Sequence, residues 1–150
     1  MITLNPGDQA PDFTAQDQHG QVHSLASYRG QRVALYFYPK DDTPGCTAQA
    51  CSLRDGETQL KAAGIQVLGV SPDDVASHQK FAAKFELPFP LLADPEKQLA
   101  EAYGVWQEKK NYGRTYWGVA RTTFLLDAEG RVERIIRRPD TKNHAEQLLK

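Results

Sequence analysis

The chain has 150 residues, 40% hydrophobic and 25% charged, with a formal net charge of -1 and two cysteines. That length buries a core without disulfide or metal staples, and the near-neutral charge without a dense Lys/Arg stripe argues against nucleic acid as a partner. The short pairs Lys109-Lys110 and Arg137-Arg138 read as solvated surface.

No run approaches the roughly 18 apolar residues of a membrane span, so no membrane partner is expected. The opening Met1-Ile2-Thr3-Leu4-Asn5-Pro6-Gly7-Asp8 lacks the basic-then-apolar order of a secretory signal. The expectation is a cytoplasmic protein, where a cysteine pair is more often catalytic or metal-binding than structural. No repeat or Pro/Gly/Ser linker divides the chain, and residues 1–150 are read as one domain.

In chain order, residues 12–24 pattern as a small hairpin, with Phe13 and Ala15 alternating with polar neighbours and a turn at His19-Gly20. Ser24 to Gly30 predicts one short helical turn. Val33 to Tyr38 is an apolar, aromatic and β-branched run, the mark of a buried strand. A helix is predicted from about Pro44 to Ala63, with Gly64 as its stop. Gln66–Ser71 predicts a second buried strand, and Asp73/Asp74 start a helix carrying Val75, Phe81, Ala82 and Phe85. A short strand lies within Pro88–Asp94, and Glu96–Tyr103 is a helix stopped by Gly104. Thr122–Asp127 and Val132–Arg137 flank Ala128-Glu129-Gly130 as a hairpin, and Asn143–Leu149 closes the chain as a helix. Alternating strands and helices followed by a hairpin indicate an α/β fold with one central mixed β-sheet flanked by helices.

The segment joining the first strand to its helix carries the chemistry. After Pro39 comes Asp41-Asp42-Thr43-Pro44-Gly45-Cys46. A side-chain oxygen at the N-cap and proline at the first helical position are helix-start signals. With Thr43 as the cap, Cys46 is the third helical residue. There its sulfur meets unpaired backbone N–H groups and the positive end of the helix dipole, which favours thiolate over thiol. The position is also the carboxyl end of a strand, where open α/β sheets bind ligands. Taken singly, Cys46 reads as an inert buried thiol, Thr43 as a plain cap, Pro39 as a strand stop and Arg121 as a surface charge. A structural zinc site is disfavoured, because the cysteines are spaced Cys-x-x-x-x-Cys and His19, His23, His78 and His144 are scattered.

These residues resemble the peroxiredoxins, in particular their bacterioferritin comigratory protein (PrxQ) branch. The resemblance rests on Phe37-Tyr38-Pro39-Lys40-Asp41-Asp42-Thr43-Pro44-Gly45-Cys46-Thr47 and on Arg121-Thr122-Thr123-Phe124-Leu125-Leu126-Asp127. The opening Gly7-Asp8-Gln9-Ala10-Pro11-Asp12-Phe13 and the pair Val70-Ser71 add to it. It spans essentially the whole chain. It implies a thioredoxin-like fold with an N-terminal β-hairpin extension, and reduction of hydrogen peroxide and organic hydroperoxides without metal, haem or flavin.

By the resemblance, Cys46 is the peroxide-attacking residue, Cys51 resolves it, and Pro39, Thr43 and Arg121 complete the site. It implies an intramolecular disulfide, reduced by a thioredoxin or glutaredoxin-type partner, and a bond of that kind favours a monomer. It also leads to an expectation of glutamate at position 49, where this chain has Gln49.

Two other readings stay open on the residues alone. A thioredoxin-like disulfide oxidoreductase uses Cys-x-x-Cys, a spacing this chain lacks. A peroxide-sensing switch would signal through Cys46 oxidation, with the aromatic segment Tyr112 to Gly118 as its partner surface or as packing around the site rim.

Overall fold

The computed structural model describes residues 1–150 and opens on the expected hairpin, with β1 (Thr14–Gln16) antiparallel to β2 (Val22–Ser24). Ser24 then caps a single 3-10 turn over Leu25–Tyr28 by accepting from the Ser27 N–H. The apolar run that follows forms β3 (Arg32–Phe37). Its side chains alternate between two separate cores: Val33, Leu35 and Phe37 in one, Ala34, Tyr36 and the following Tyr38 in the other. Burial on both faces explains why this strand reads as a continuous apolar run.

The predicted helix Pro44–Ala63 is two helices, α1 (Pro44–Asp55) and α2 (Glu57–Ala62), with Gly56 between them. Gly56 sits at φ -94° and ψ 7°, away from helical values, and a Cβ there would overlap that of Ala145. The break is a place of close packing that only a distant segment creates. Gly64, at φ +77°, ends the pair as expected.

The chain continues through β4 (Ile65–Ser71), α3 (Val75–Phe85), β5 (Leu91–Ala93) and α4 (Gln98–Ala102). Asp74 caps α3 by accepting from the Ser77 N–H at 2.8 Å. The last helix of this group is shorter than predicted. Its first N–H groups are met by Asp94, whose carboxylate accepts from Leu99 and Ala100 at 3.1 and 3.0 Å.

A hairpin not predicted from the sequence follows: β6 (Trp106–Asn111) pairs antiparallel with β7 (Arg114–Val119). Tyr112 and Gly113, both at positive φ, make its two-residue turn. The aromatic segment Tyr112 to Gly118 is thus mostly a strand. Its signal was hidden because Gln107 to Asn111 is polar, and residues 110–117 are exposed without a buried face to impose alternation. The chain closes with β8 (Thr122–Leu126), β9 (Val132–Ile136) and α5 (His144–Leu149).

The central sheet has the order β5-β4-β3-β8-β9. β3, β4 and β5 run parallel, while β8 is antiparallel to both β3 and β9. This is the mixed α/β sheet of a thioredoxin-like fold, with the hairpin β1–β2 as its N-terminal extension. α5 packs on α1 and α2, where the Ala145 N–H donates to Ser52 Oγ at 3.2 Å.

Candidate active site

β3 delivers the chain to Tyr38 and Pro39 at its carboxyl edge, and α1 starts five residues later with Thr43 in the N-cap position, at φ -100° and ψ 156°. Cys46 is its third residue, as the sequence predicts. One detail differs: the Thr43 side chain makes no capping bond. Its Oγ1 donates instead to the Lys40 carbonyl at 2.9 Å, closing the loop on itself. With its proton committed, the hydroxyl keeps lone pairs for an incoming donor.

Cys46 is 1% exposed and belongs to the same buried core as Tyr36, Tyr38, Ala50 and Leu53. Arg121, which enters β8, reaches across to it. Nη2 donates to Cys46 Sγ at 3.2 Å, while Nη1 donates to Gln49 Oε1 at 2.6 Å. Gln49 lies one turn beyond Cys46 and is wholly buried. Gly45 clears the approach, since a Cβ there would lie 3.2 Å from Nη2.

The structure therefore brings Cys46 and Arg121 together, with Thr43 and Pro39 on the loop that leads into the same helix start. It does not bring Cys51 to Cys46. Cys51 is half-buried further along intact α1, and both cysteines are free thiols.

Lys109 corrects the surface reading of Lys109-Lys110. Lys110 is exposed, but Lys109 is half-buried and donates from Nζ to the Val119 carbonyl at 2.7 Å. Burial, then the charge of Arg121, hold its ammonium below the usual 10.5, while Cys46 pulls the other way. It is a second cation beside the sulfur, and the unrecognised hairpin is what carries it there. Burial and then Asp41 and Cys46 push the Tyr36 phenol well above its usual 10. Gly69, its partner across β4, makes room for that ring: a Cβ there would lie 2.9 Å from Tyr36 Cζ.

A polar network not foreseen in the sequence supports the loop before Cys46. The Asp41 carboxylate accepts from Tyr38 Oη at 2.6 Å and Ser77 Oγ at 2.7 Å, and meets His78 Nδ1 at 2.7 Å. The Asp41 N–H donates to Asp73 Oδ2 at 2.8 Å, and His78 Nε2 faces the Leu92 carbonyl at 3.0 Å. Ligand atoms of Asp41, Asp73 and His78 lie within 4.8 Å of one another. Each already has partners within the chain, so the cluster reads as a tether between the loop and α3.

A cysteine at a helix start, faced by an arginine at the carboxyl edge of this mixed sheet, defines a thiol protein of the thioredoxin-like class. The family model for AhpC/TSA matches residues 6–135. Peroxiredoxin Bcp of Bacillus subtilis is 45% identical over 148 residues, covering 99% of this chain and 94% of that protein. Peroxiredoxin Bcp of Escherichia coli K12 is 47% identical over 149 residues, covering 99% and 96%.

Among solved structures, a PrxQ cysteine-to-serine mutant from Xylella fastidiosa superposes with a TM-score of 0.93 at 33% identity, covering 99% of this chain and 95% of that one. The bacterioferritin comigratory protein of Xanthomonas campestris, studied for its alkyl peroxide reduction activity, gives 0.89 at 35% identity, covering 97% and 95%. The chain belongs to the AhpC/TSA family, in the peroxiredoxin Bcp/PrxQ branch.

Proposed function

We propose that the chain is a thiol peroxidase acting on hydrogen peroxide and organic hydroperoxides. The observation that carries the reading is the guanidinium of Arg121 at 3.2 Å from Cys46 Sγ, at a helix start. The Cys46 thiolate attacks one peroxide oxygen: an S–O bond forms, the O–O bond breaks, and the departing hydroxide or alkoxide takes up a proton. Sulfur is oxidised to sulfenic acid and the peroxide is reduced to water or alcohol.

Arg121, a permanent planar cation with several donors, stabilises both the thiolate and the developing oxyanion. The lone pairs left free on Thr43 Oγ1 accept from the peroxide O–H. Pro39 has no N–H to bind water and fixes the backbone beside the loop. Cys51 then attacks the sulfenic sulfur, forming an S–S bond and releasing water. A thioredoxin or glutaredoxin-type dithiol returns both sulfurs to thiols by exchange. Both cysteines belong to one helix, so the cycle needs no second subunit, and the protein works as a monomer.

Peroxide consumption measured with thioredoxin and glutaredoxin as candidate reductants tests the cycle. Cys46→Ser is expected to abolish turnover. Cys51→Ser is expected to keep the first oxidation and to stop at a Cys46 sulfenic acid trapped by a dimedone-type reagent. A Cys46→Ser protein that retained most of the rate would refute the assignment.

A further inference from the structure

Neither hydrogen bond of Arg121 goes to a carboxylate, and none of the ion pairs in the chain includes it. Its closest partner is the amide oxygen of Gln49 at 2.6 Å. The guanidinium fixes the orientation of that amide, because turning it over would set NH2 against N–H, donor to donor. The consequence shows at the other end of the side chain. Gln49 Nε2 is buried with no partner, a condition that ordinarily costs about 1–3 kcal/mol. A carboxylate at 49 would put an oxygen in place of the orphaned donor and would bind Arg121 more strongly. What the amide offers instead is neutrality.

We infer that Gln49 is a positioning residue that holds the Arg121 guanidinium against Cys46 while leaving its charge to the sulfur, and so sets the thiolate population of Cys46. The inference rests on the peroxidase reading above. The titratable groups around the sulfur and the guanidinium are Arg121, Lys109 from β6, Tyr36 from β3 and Tyr38 just after it, His144 from α5 and Cys51 on the same helix. The Asp41 carboxylate is engaged by Tyr38, Ser77 and His78. With a neutral Gln49, the anion best placed to balance Arg121 is the Cys46 thiolate itself. A carboxylate at 49 would neutralise the guanidinium. It would also stand one helical turn from Cys46, close enough for like-charge repulsion with the thiolate.

The test compares the parent, Gln49→Glu and Gln49→Met, each carrying Cys51→Ser so that Cys46 is the only thiol. Three quantities are read: the rate of Cys46 alkylation by iodoacetamide against pH, the single-turnover rate with hydrogen peroxide, and the melting temperature. Gln49→Glu is expected to move the alkylation midpoint up by about one pH unit. At pH values below that midpoint, oxidation slows about tenfold with the loss of thiolate. Its melting temperature should stay close to the parent's, because the new ion pair offsets the burial of a carboxylate.

Gln49→Met leaves the charge unshared but no longer held. Its midpoint should move less than that of Gln49→Glu, while its oxidation still slows. A midpoint for Gln49→Glu that is unchanged or lower overturns the inference. So does a Gln49→Glu protein that melts well below the parent, or a Gln49→Met midpoint displaced as far as that of Gln49→Glu. A parent whose Cys46 alkylates normally but does not react with peroxide refutes the peroxidase reading instead.

Discussion

Closing a bond between Cys46 and Cys51 requires α1 to come apart. In the reduced protein both residues sit on one continuous helix, Pro44–Asp55. Five residues of ideal helix rise about 7.5 Å and turn through about 500°, leaving the two Cα atoms roughly 8.6 Å apart. A disulfide spans about 4.4–6.8 Å between Cα atoms, so the separation must shrink by about 2 Å or more. Opening the helix through Cys51 breaks the contact of Gln49 with Arg121 and pulls the wholly buried Ala50 away from the core. Helical hydrogen bonds exchanged for water cost about 0.5–1.5 kcal/mol each, so opening two turns costs several kcal/mol. An opening of that size should be sampled transiently before any oxidation. Gly56 already interrupts the helix, so the disruption need not spread into α2. One equivalent of hydrogen peroxide should therefore give a disulfide form that has lost about 7 residues of helix by circular dichroism. Amides near Cys51 should exchange fast even in the reduced protein and lose further protection on oxidation, while those of β3 and β8 keep theirs. Equal helix content and equal protection across residues 44–56, with the bond confirmed by mass spectrometry, would refute the reasoning.

Removing the cation should act on the first chemical step. Arg121→Met is expected to move the pH–rate profile of Cys46 alkylation upward and to slow peroxide attack, by about tenfold for each pH unit of displacement. Arg121→Lys should recover only part of the rate, because a single ammonium does not reproduce the fork to Gln49 and Cys46; an unchanged profile in Arg121→Met would remove the residue from the site. A second prediction concerns His144, which is buried between Thr123 and Gln147 and held below its usual 6.5 by that burial. The unfolded chain then binds the extra proton more readily than the folded one, so this contribution to stability is complete above pH 6.5 and is lost as the pH falls through the lowered folded value. Denaturation midpoints should decline from pH 6.5 downward, and His144→Gln should flatten that decline; an equal slope in the variant would show that His144 does not cause it.

What the sequence revealed was local. Thr43-Pro44 before Cys46 marks a helix start whatever surrounds it, and the unbroken run Val33–Tyr38 marks a strand covered on both sides. Arg121 is distant in sequence from Cys46, and on its own residues it read as a surface charge; only the resemblance set it at the site. Its partner Gln49 stands out only as a departure from the expected glutamate, and nothing in a linear pattern says that its amide meets a guanidinium. The break at Gly56 depends on Ala145, which sequence periodicity cannot place. Lys109 reads as surface because its strand has no apolar alternation to announce it. Asp41 and His78, distant in the chain, meet only because β3 and α3 pack together.

The way these distant contacts are distributed bears on how the site survives its own chemistry. The loop from Pro39 to Thr43 is tied by Asp41 to Tyr38 at the end of β3 and to Ser77 and His78 on α3. Asp42, in a left-handed conformation at φ +57°, is further paired with Lys84 at 2.9 Å. Arg121 is introduced by Val119-Ala120, whose carbonyls accept from Lys109 at 2.7 Å and from Thr122 Oγ1 at 2.8 Å. None of these ties involves the part of α1 that carries both cysteines. That part is held laterally by the contacts of Cys46 and Gln49 with Arg121 and of Ser52 with Ala145, together with its apolar face. Unwinding α1 thus leaves the loop and the backbone that introduces Arg121 in place, while the guanidinium gives up its hydrogen bonds to Gln49 and Cys46. A helix that re-forms after reduction of a Cys46–Cys51 bond would meet Arg121 on an unmoved backbone, and the Gln49 amide would then restore the contact that orients the guanidinium.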